Sequence, residues 1–255
     1  MHPRANVPRR PLAEPLFVVG RVFAAAMVAL LAAPLGIQSQ APADSVACDG
    51  FAVVSSELSR KEAEQYCKFA ARERQKVEKY WGPTWPDPIR IQVSSEYTAA
   101  NTLVQNGGKP GRIDMPLDRV RDRTGALLHE ITHNYAFSEN RFLYEGLGVY
   151  LQDKIGEARS FPNFGRPLDA AAAEVARAVG SLEELNAVRF PRPLGSVMEN
   201  RAAYLLAGSF VKYLIDRKGG LEKFRTLYAS GDYQATYGAP FRALEQDWRA
   251  HLPRR

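Results

Sequence analysis

Two imidazoles stand four residues apart in His129-Glu130-Ile131-Thr132-His133, inside a segment, residues 124–137, whose remaining side chains suit a buried helix. At 3.6 residues per turn both rings face the same side of that helix. Two neutral imidazoles so placed can share a tetrahedral divalent metal, and the carboxylate beside them can reach a water next to it. The chemistry this permits is hydrolysis by an activated water, with Glu130 as general base. His is scarce here: His2, His129, His133 and His251 are the only four in the sequence, so two of them share one pentapeptide. The same pattern also occurs in unrelated helices as a surface His-Glu pair or a satisfied core His, so the reading requires a third ligand.

Glu145 is the candidate, in Phe142-Leu143-Tyr144-Glu145-Gly146-Leu147-Gly148-Val149-Tyr150. A polar turn around Ser138, Glu139 and Asn140 separates two helical segments, with Asn140 as N-cap of the second. In a tight helical hairpin Glu145 faces His133, which gives a His2Glu set with one position left for water. The competing reading is an exposed helix acid, but Leu143, Leu147, Val149 and Tyr150 surround it, where an unpaired charge is costly. Glu139, on the turn, is the weaker alternative.

These residues resemble the gluzincin branch of the HExxH metallopeptidases, and within it the small bacterial peptidase-MA-like domains. In that family a HExxH helix precedes an aromatic or Leu-rich stretch ending in Glu-Gly-x-(Ala/Gly)-x-Tyr, matched here by Glu145-Gly146-Leu147-Gly148-Val149-Tyr150. Residues 204–214, followed by Gly219-Gly220-Leu221, are similar to the family's Tyr-bearing helix and Gly turn, and residues 241–252 to its closing helix. The resemblance spans roughly residues 50–255 and implies a zincin-like fold with one Zn2+ per chain, held by His129, His133 and Glu145. It also implies peptide or protein substrates and an oxyanion donor from a downstream helix, for which Tyr204 is the candidate. Ala203, Leu205, Leu206, Phe210, Val211 and Leu214 offer the alternative that Tyr204 is plain packing. Two departures stand out. No acid follows Glu145 by four residues, so the zinc-bound imidazoles need a backbone carbonyl or another side chain to orient them. Gly111-Arg112-Ile113-Asp114-Met115-Pro116 also lacks the aminopeptidase GAMEN signature.

The elements that must carry these residues follow from patterning. Residues 51–55 suit a strand; Ser59 and Glu62 form a capping box opening a helix to about Tyr80, with Ala63, Tyr66, Cys67, Ala70, Val77 and Tyr80 inward. Residues 82–88, rich in Pro and Gly, end that helix, and residues 89–93 alternate as a half-buried strand. A helix is expected from about Glu96, a turn over residues 106–111 and a last strand over 113–117. That strand either accepts an extended peptide at its edge or is an ordinary buried strand. Further helices are expected over residues 141–155, 168–179, 200–217, 221–228 and 239–252, with Pro162, Gly165, Pro167, Pro191 and Pro193 in loops. Strands first and helices afterwards predict an α+β domain: a small N-terminal sheet with helices, then a mostly helical lobe, with the HExxH helix between them.

The chain has 255 residues, 45% hydrophobic and 24% charged, which suits a globular domain and excludes collagen-like and wholly disordered classes. Its excess of +6 invites a nucleic-acid or membrane-surface reading, but much of it is N-terminal. Arg4, Arg9 and Arg10 precede an uncharged apolar run over residues 23–33, and Ala41-Pro42-Ala43 fits a signal-peptidase site. Residues 1–43 therefore read as a signal peptide, or as an uncleaved membrane anchor if the apolar stretch is counted from Leu16 through Arg21 to Ile37. Without that segment, which holds four Arg and one Glu, 30 basic and 27 acidic residues remain, an excess of +3. Residues 44–255 then form a single exported domain, periplasmic or secreted, attached to a membrane only through the leader if at all. The remaining charges are interspersed, so no nucleic-acid partner is expected. Cys48 and Cys67 form a disulfide in an exported chain or stand apart as small buried side chains. The reading that results is an exported zinc metallopeptidase, with a catalytically inactive zinc-binding or peptide-binding module of the same fold as the alternative.

Overall fold

The computed structural model of the chain describes residues 45–83, 88–105, 109–187 and 197–254. The proposed leader, the centre of the Pro-rich breaker at residues 84–87, the tip of the turn at 106–108 and the loop holding Pro191 and Pro193 lie outside the described residues. The architecture is α+β. Strands β1 (Ser45–Cys48), β2 (Phe51–Val54), β3 (Ile89–Ser94), β4 (Asn101–Gln105) and β5 (Lys109–Pro116) form a mixed sheet in the order β1-β2-β3-β5-β4. β2, β3 and β5 run parallel, and each outer strand, β1 and β4, runs antiparallel to its neighbour.

Helix α1 (Arg60–Trp81) makes the crossover between β2 and β3. Its start follows from the capping box: the Ser59 side chain accepts from the Glu62 N–H, and the Glu62 carboxylate accepts from the Ser59 N–H at 2.8 Å. Those hydrogen bonds, together with Arg121, hold the Glu62 carboxyl down at about 2. Ala63, Tyr66, Cys67, Phe69, Ala70 and Val77 line its buried face, and the alternation of β3 places Ile89, Ile91 and Val93 inward.

The sheet is longer than the sequence pattern suggests, and two helical expectations are corrected. The segment expected to be helical from Glu96 is instead a bend leading into β4, whose residues 102–104, Thr-Leu-Val, include two β-branched side chains that favour a pleated strand. β1 was not foreseen: its alternation of exposed and half-buried residues supplies no apolar run. The helix expected over 124–137 is confined to α3 (Leu127–Tyr135). A separate short helix, α2 (Leu117–Asp122), precedes it and ends at Arg123 in the left-handed region, φ 52°, which halts the helical path. β5 lies between β3 and β4, with Ile113 and Met115 fully buried, so the peptide-accepting alternative for this strand is excluded and the ordinary buried strand is found.

Beyond α3 come α4 (Arg141–Ile155), α5 (Leu168–Ala176), α6 (Glu183–Ala187), α7 (Val197–Arg217), α8 (Gly220–Ser230), α9 (Tyr233–Tyr237) and α10 (Phe241–His251). α4 begins and ends where expected, because the Asn140 Oδ1 accepts from the Leu143 N–H at 3.0 Å. α3 packs against α1, α4, β4 and β5, so it sits at the junction of the sheet and the helical lobe. The main core runs continuously across that junction, from Phe51, Ile91 and Met115 through Leu128 and Leu147 to Phe210 and Trp248. No helix among the described residues is long and apolar enough to cross a membrane.

Cys48 and Cys67 are disulfide-bonded, with Cα atoms 5.9 Å apart, which fastens the edge strand β1 to α1. Closing a loop of sequence separation 19 contributes about 3 kcal/mol in the chain-entropy account. Opening it by reduction or by the Cys48→Ser/Cys67→Ser pair is expected to lower the melting temperature by roughly 6–12 °C for a domain of this size. Calorimetry with and without reductant measures this, and an unchanged midpoint would show that the cross-link adds nothing to stability.

Candidate metal centre

All nine residues of α3 are buried, including His129, Glu130, Thr132, His133 and Asn134. A helix in that position cannot turn its polar side chains to water, so each needs a partner inside the protein. Thr132 Oγ1 donates back to the Leu128 carbonyl at 2.8 Å. Asn134 Nδ2 donates to the Glu130 carbonyl at 2.9 Å, while its Oδ1 accepts from the Gly111 N–H on β5 at 2.8 Å. The Glu130 carboxylate accepts at Oε2 from Thr102 Oγ1 on β4, at 2.7 Å.

The two histidines meet each other and Glu145. Their Nε2 atoms are 2.8 Å apart, and both lie against the same oxygen of Glu145, Oε2, at 3.1 Å for His129 and 3.2 Å for His133. His129, His133 and Glu145 thus offer three buried ligand atoms within 4.8 Å of one another. Their donor set fits a divalent metal: two imidazole nitrogens and one carboxylate oxygen converge on a single point. Glu139, the weaker candidate ligand, is exposed on the turn. His129, His133 and Glu145 are brought together, and Glu145 reaches the histidines because α3 and α4 are joined by the short residue 136–140 connection.

The electrostatics reflect that crowding. Burial opposes the charge of Glu145, but its contacts with His129 and His133 outweigh it and hold its carboxyl well below the usual range. Burial pushes His129 down as well, yet its bond to Glu145 and the charge of Glu130 carry it above its ordinary value. His133, buried and beside His129, is held below.

The orientation of the rings has identifiable sources. The His129 ring lies against the Gly148 backbone, which favours its charged form, and the His129 backbone N–H donates to Gln152 Oε1 at 3.2 Å. This is the backbone support required by the lack of an acid four residues after Glu145. His133 stacks on Tyr144, with centroids 3.8 Å apart and planes at 12°. The Tyr204 ring, half-buried, lies 5.9 Å from that of His129. The Arg141 guanidinium, which favours the ionised phenol, is a neighbour of the Tyr204 ring and stands 3.5 Å from Glu145 Oε1. Burial, and then the charge of Glu145, push the Tyr204 phenol up, so it keeps its proton and remains a donor. Tyr204 is therefore at the site and also packed, against Phe161 at 5.3 Å.

Thr102 and Arg141 have no part in the sequence reading of the site, and Gly148 enters it only as the small residue of the Glu-Gly-x-(Ala/Gly)-x-Tyr match. Arg141 had a signal, since it precedes Glu145 by one helical turn on the same face. Thr102 had none, because its segment was read as helix. Gly148 is explained by what a side chain would meet: a Cβ there would stand 2.6 Å from His129 Nδ1. No protein-family model matches this sequence, and no curated protein matches it.

Gly148→Ala is accordingly expected to weaken divalent-metal affinity by about 10–100-fold, although it alters no ligand, because it displaces the His129 ring. Chelator competition reads the affinity, and circular dichroism checks that the fold is kept. An affinity equal to that of the unaltered protein would show that the ring is not held by this contact.

Proposed function

We propose that this chain is an exported zinc-dependent metallopeptidase of the gluzincin type, with a zincin-like domain. The convergence of His129 Nε2, His133 Nε2 and Glu145 Oε2 within 3.2 Å of one another is the observation that carries the reading. Two nitrogens and one carboxylate oxygen form the donor set that zinc takes in catalytic sites, with a further position for water. A mixed sheet whose outer strand β4 runs antiparallel beside the HExxH helix supports the zincin-like assignment. Export is supported by the order of charged, apolar and small residues over 1–43 and by the disulfide, a bond that persists in oxidising compartments.

Zinc bound at His129, His133 and Glu145 would supply Lewis acidity toward the scissile carbonyl and the attacking water. The remaining work falls to this chain's own groups. Glu130 takes a proton from the water as its oxygen bonds to the carbonyl carbon, and delivers it to the amine nitrogen as the C–N bond breaks. Tyr204, kept protonated and packed between His129 and Phe161, donates to the oxygen on which negative charge develops. The Glu145 charge is shared among the two histidines and Arg141, which keeps the carboxylate aimed at the metal position.

Glu130→Gln is expected to retain zinc near one equivalent while losing hydrolysis of a mixed peptide library by at least about 100-fold, the scale of a lost general base. Tyr204→Phe should lower kcat by about 100-fold, the scale of one lost oxyanion donor, with zinc again retained. Zinc content by elemental analysis and cleavage by mass spectrometry test both. Absence of zinc would sink the metal assignment. Zinc with no cleavage by the unaltered protein, or activity indifferent to Glu130→Gln, would favour the inactive binding module.

A further inference from the structure

We propose that the β4–β5 hairpin aims the general base, with Thr102 as the positioning residue that holds the Glu130 carboxylate; this rests on the role of Glu130 proposed above. α3 fixes the Glu130 backbone but leaves its side chain several rotatable bonds, so its direction must be set by something outside the helix. Thr102 supplies that contact. Its hydroxyl has one proton and two acceptors in reach, Glu130 Oε2 at 2.7 Å and the Glu130 carbonyl at 3.1 Å. The carboxylate, shorter and charged, takes the proton. The carbonyl is served instead by Asn134 Nδ2 at 2.9 Å.

The support for Thr102 is itself rigid. Thr102 is buried, β-branched and registered against Ile113 on β5, so its rotamer and backbone are both constrained. β5 is tied to the same helix a second time, through the Gly111 N–H to Asn134 Oδ1 at 2.8 Å. The hairpin therefore meets α3 at two polar points, and both lead to Glu130: one to its carboxylate, the other through Asn134 to its carbonyl. Oε2 is the oxygen that is held, which assigns Oε1 to proton transfer. None of these contacts involves a metal ligand, so the geometry separates aiming of the base from holding of the metal.

Thr102→Val keeps the shape and removes the donor, and Thr102→Ser restores it. Thr102→Val should bind zinc with unchanged affinity by chelator competition, yet lose about 10–100-fold in kcat with KM altered less than about twofold, and Thr102→Ser should recover most of the loss. A second measurement is independent of activity: the unfolding free energies of Thr102→Val, Glu130→Ala and the double variant should be non-additive. Undiminished kcat in Thr102→Val, or a loss that Thr102→Ser fails to restore, overturns the proposal. Additive unfolding energies overturn it whatever the activity. Non-additive energies in a protein that binds zinc but cleaves nothing uphold the tether between Thr102 and Glu130 and overturn the peptidase reading instead.

Discussion

A helix with no exposed face carries five polar side chains, and the rest of the molecule is arranged to satisfy them. Each buried polar group left without a partner costs roughly 1–3 kcal/mol, comparable to a large share of a domain's net stability. α3 escapes that cost because three other elements reach it. β4 brings Thr102 to Glu130, β5 brings the Gly111 amide to Asn134, and α4 brings Glu145 to the histidines and Gln152 to the His129 backbone N–H. The imidazoles are the group that protein contacts satisfy least well. Their nitrogens face each other across 2.8 Å and share one oxygen, and His133 Nδ1 has no hydrogen-bond partner among the described residues. Structural demand and chemical capacity thus coincide at one point.

Close approach of α4 is what makes the arrangement possible, and two glycines pattern it. A Cβ at Gly146 would stand 2.7 Å from the Ala207 carbonyl oxygen, so α4 and α7 pack backbone against backbone there. Two residues on, the bare face of Gly148 admits the His129 ring. α4 is consequently wedged between the helical lobe and the metal centre, with Glu145 between the two glycine contacts and the α3 histidines. Arg141, in the first turn of α4, extends the same network to Tyr204 on α7. One helix therefore couples the ligand set, its orientation and the proposed oxyanion donor.

Local signals were read accurately where the physics is local. The capping box at Ser59 and Glu62 and the N-cap at Asn140 depend on a few adjacent residues, and both helices start where those residues place them. β4 was misread because its identity comes from pairing with β5, an interaction with no counterpart in a short window of sequence. With β4 read as a helix, the partner of Glu130 was invisible. The helix expected over residues 124–137 is shorter, and α2 ahead of it has no local signal for its end: Arg123 adopts a left-handed conformation, which the residue type does not announce.

What the sequence alone determined was the chemistry on offer: two imidazoles and a carboxylate four and one residues apart on a helix, a second carboxylate in an apolar setting that demands a partner, and two cysteines that either pair or stand apart. These follow from helical periodicity and from the cost of burying charge, both of which are properties of residue type and spacing. Only the tertiary structure decided which atoms meet. It set Glu145 Oε2 against both rings, joined Cys48 to Cys67, placed Tyr204 beside Arg141 and brought Thr102 across to Glu130. Those contacts join residues 12 to more than 60 positions apart, and they exist because packing the sheet, α1, α4 and α7 around one buried helix leaves its polar groups no other partners.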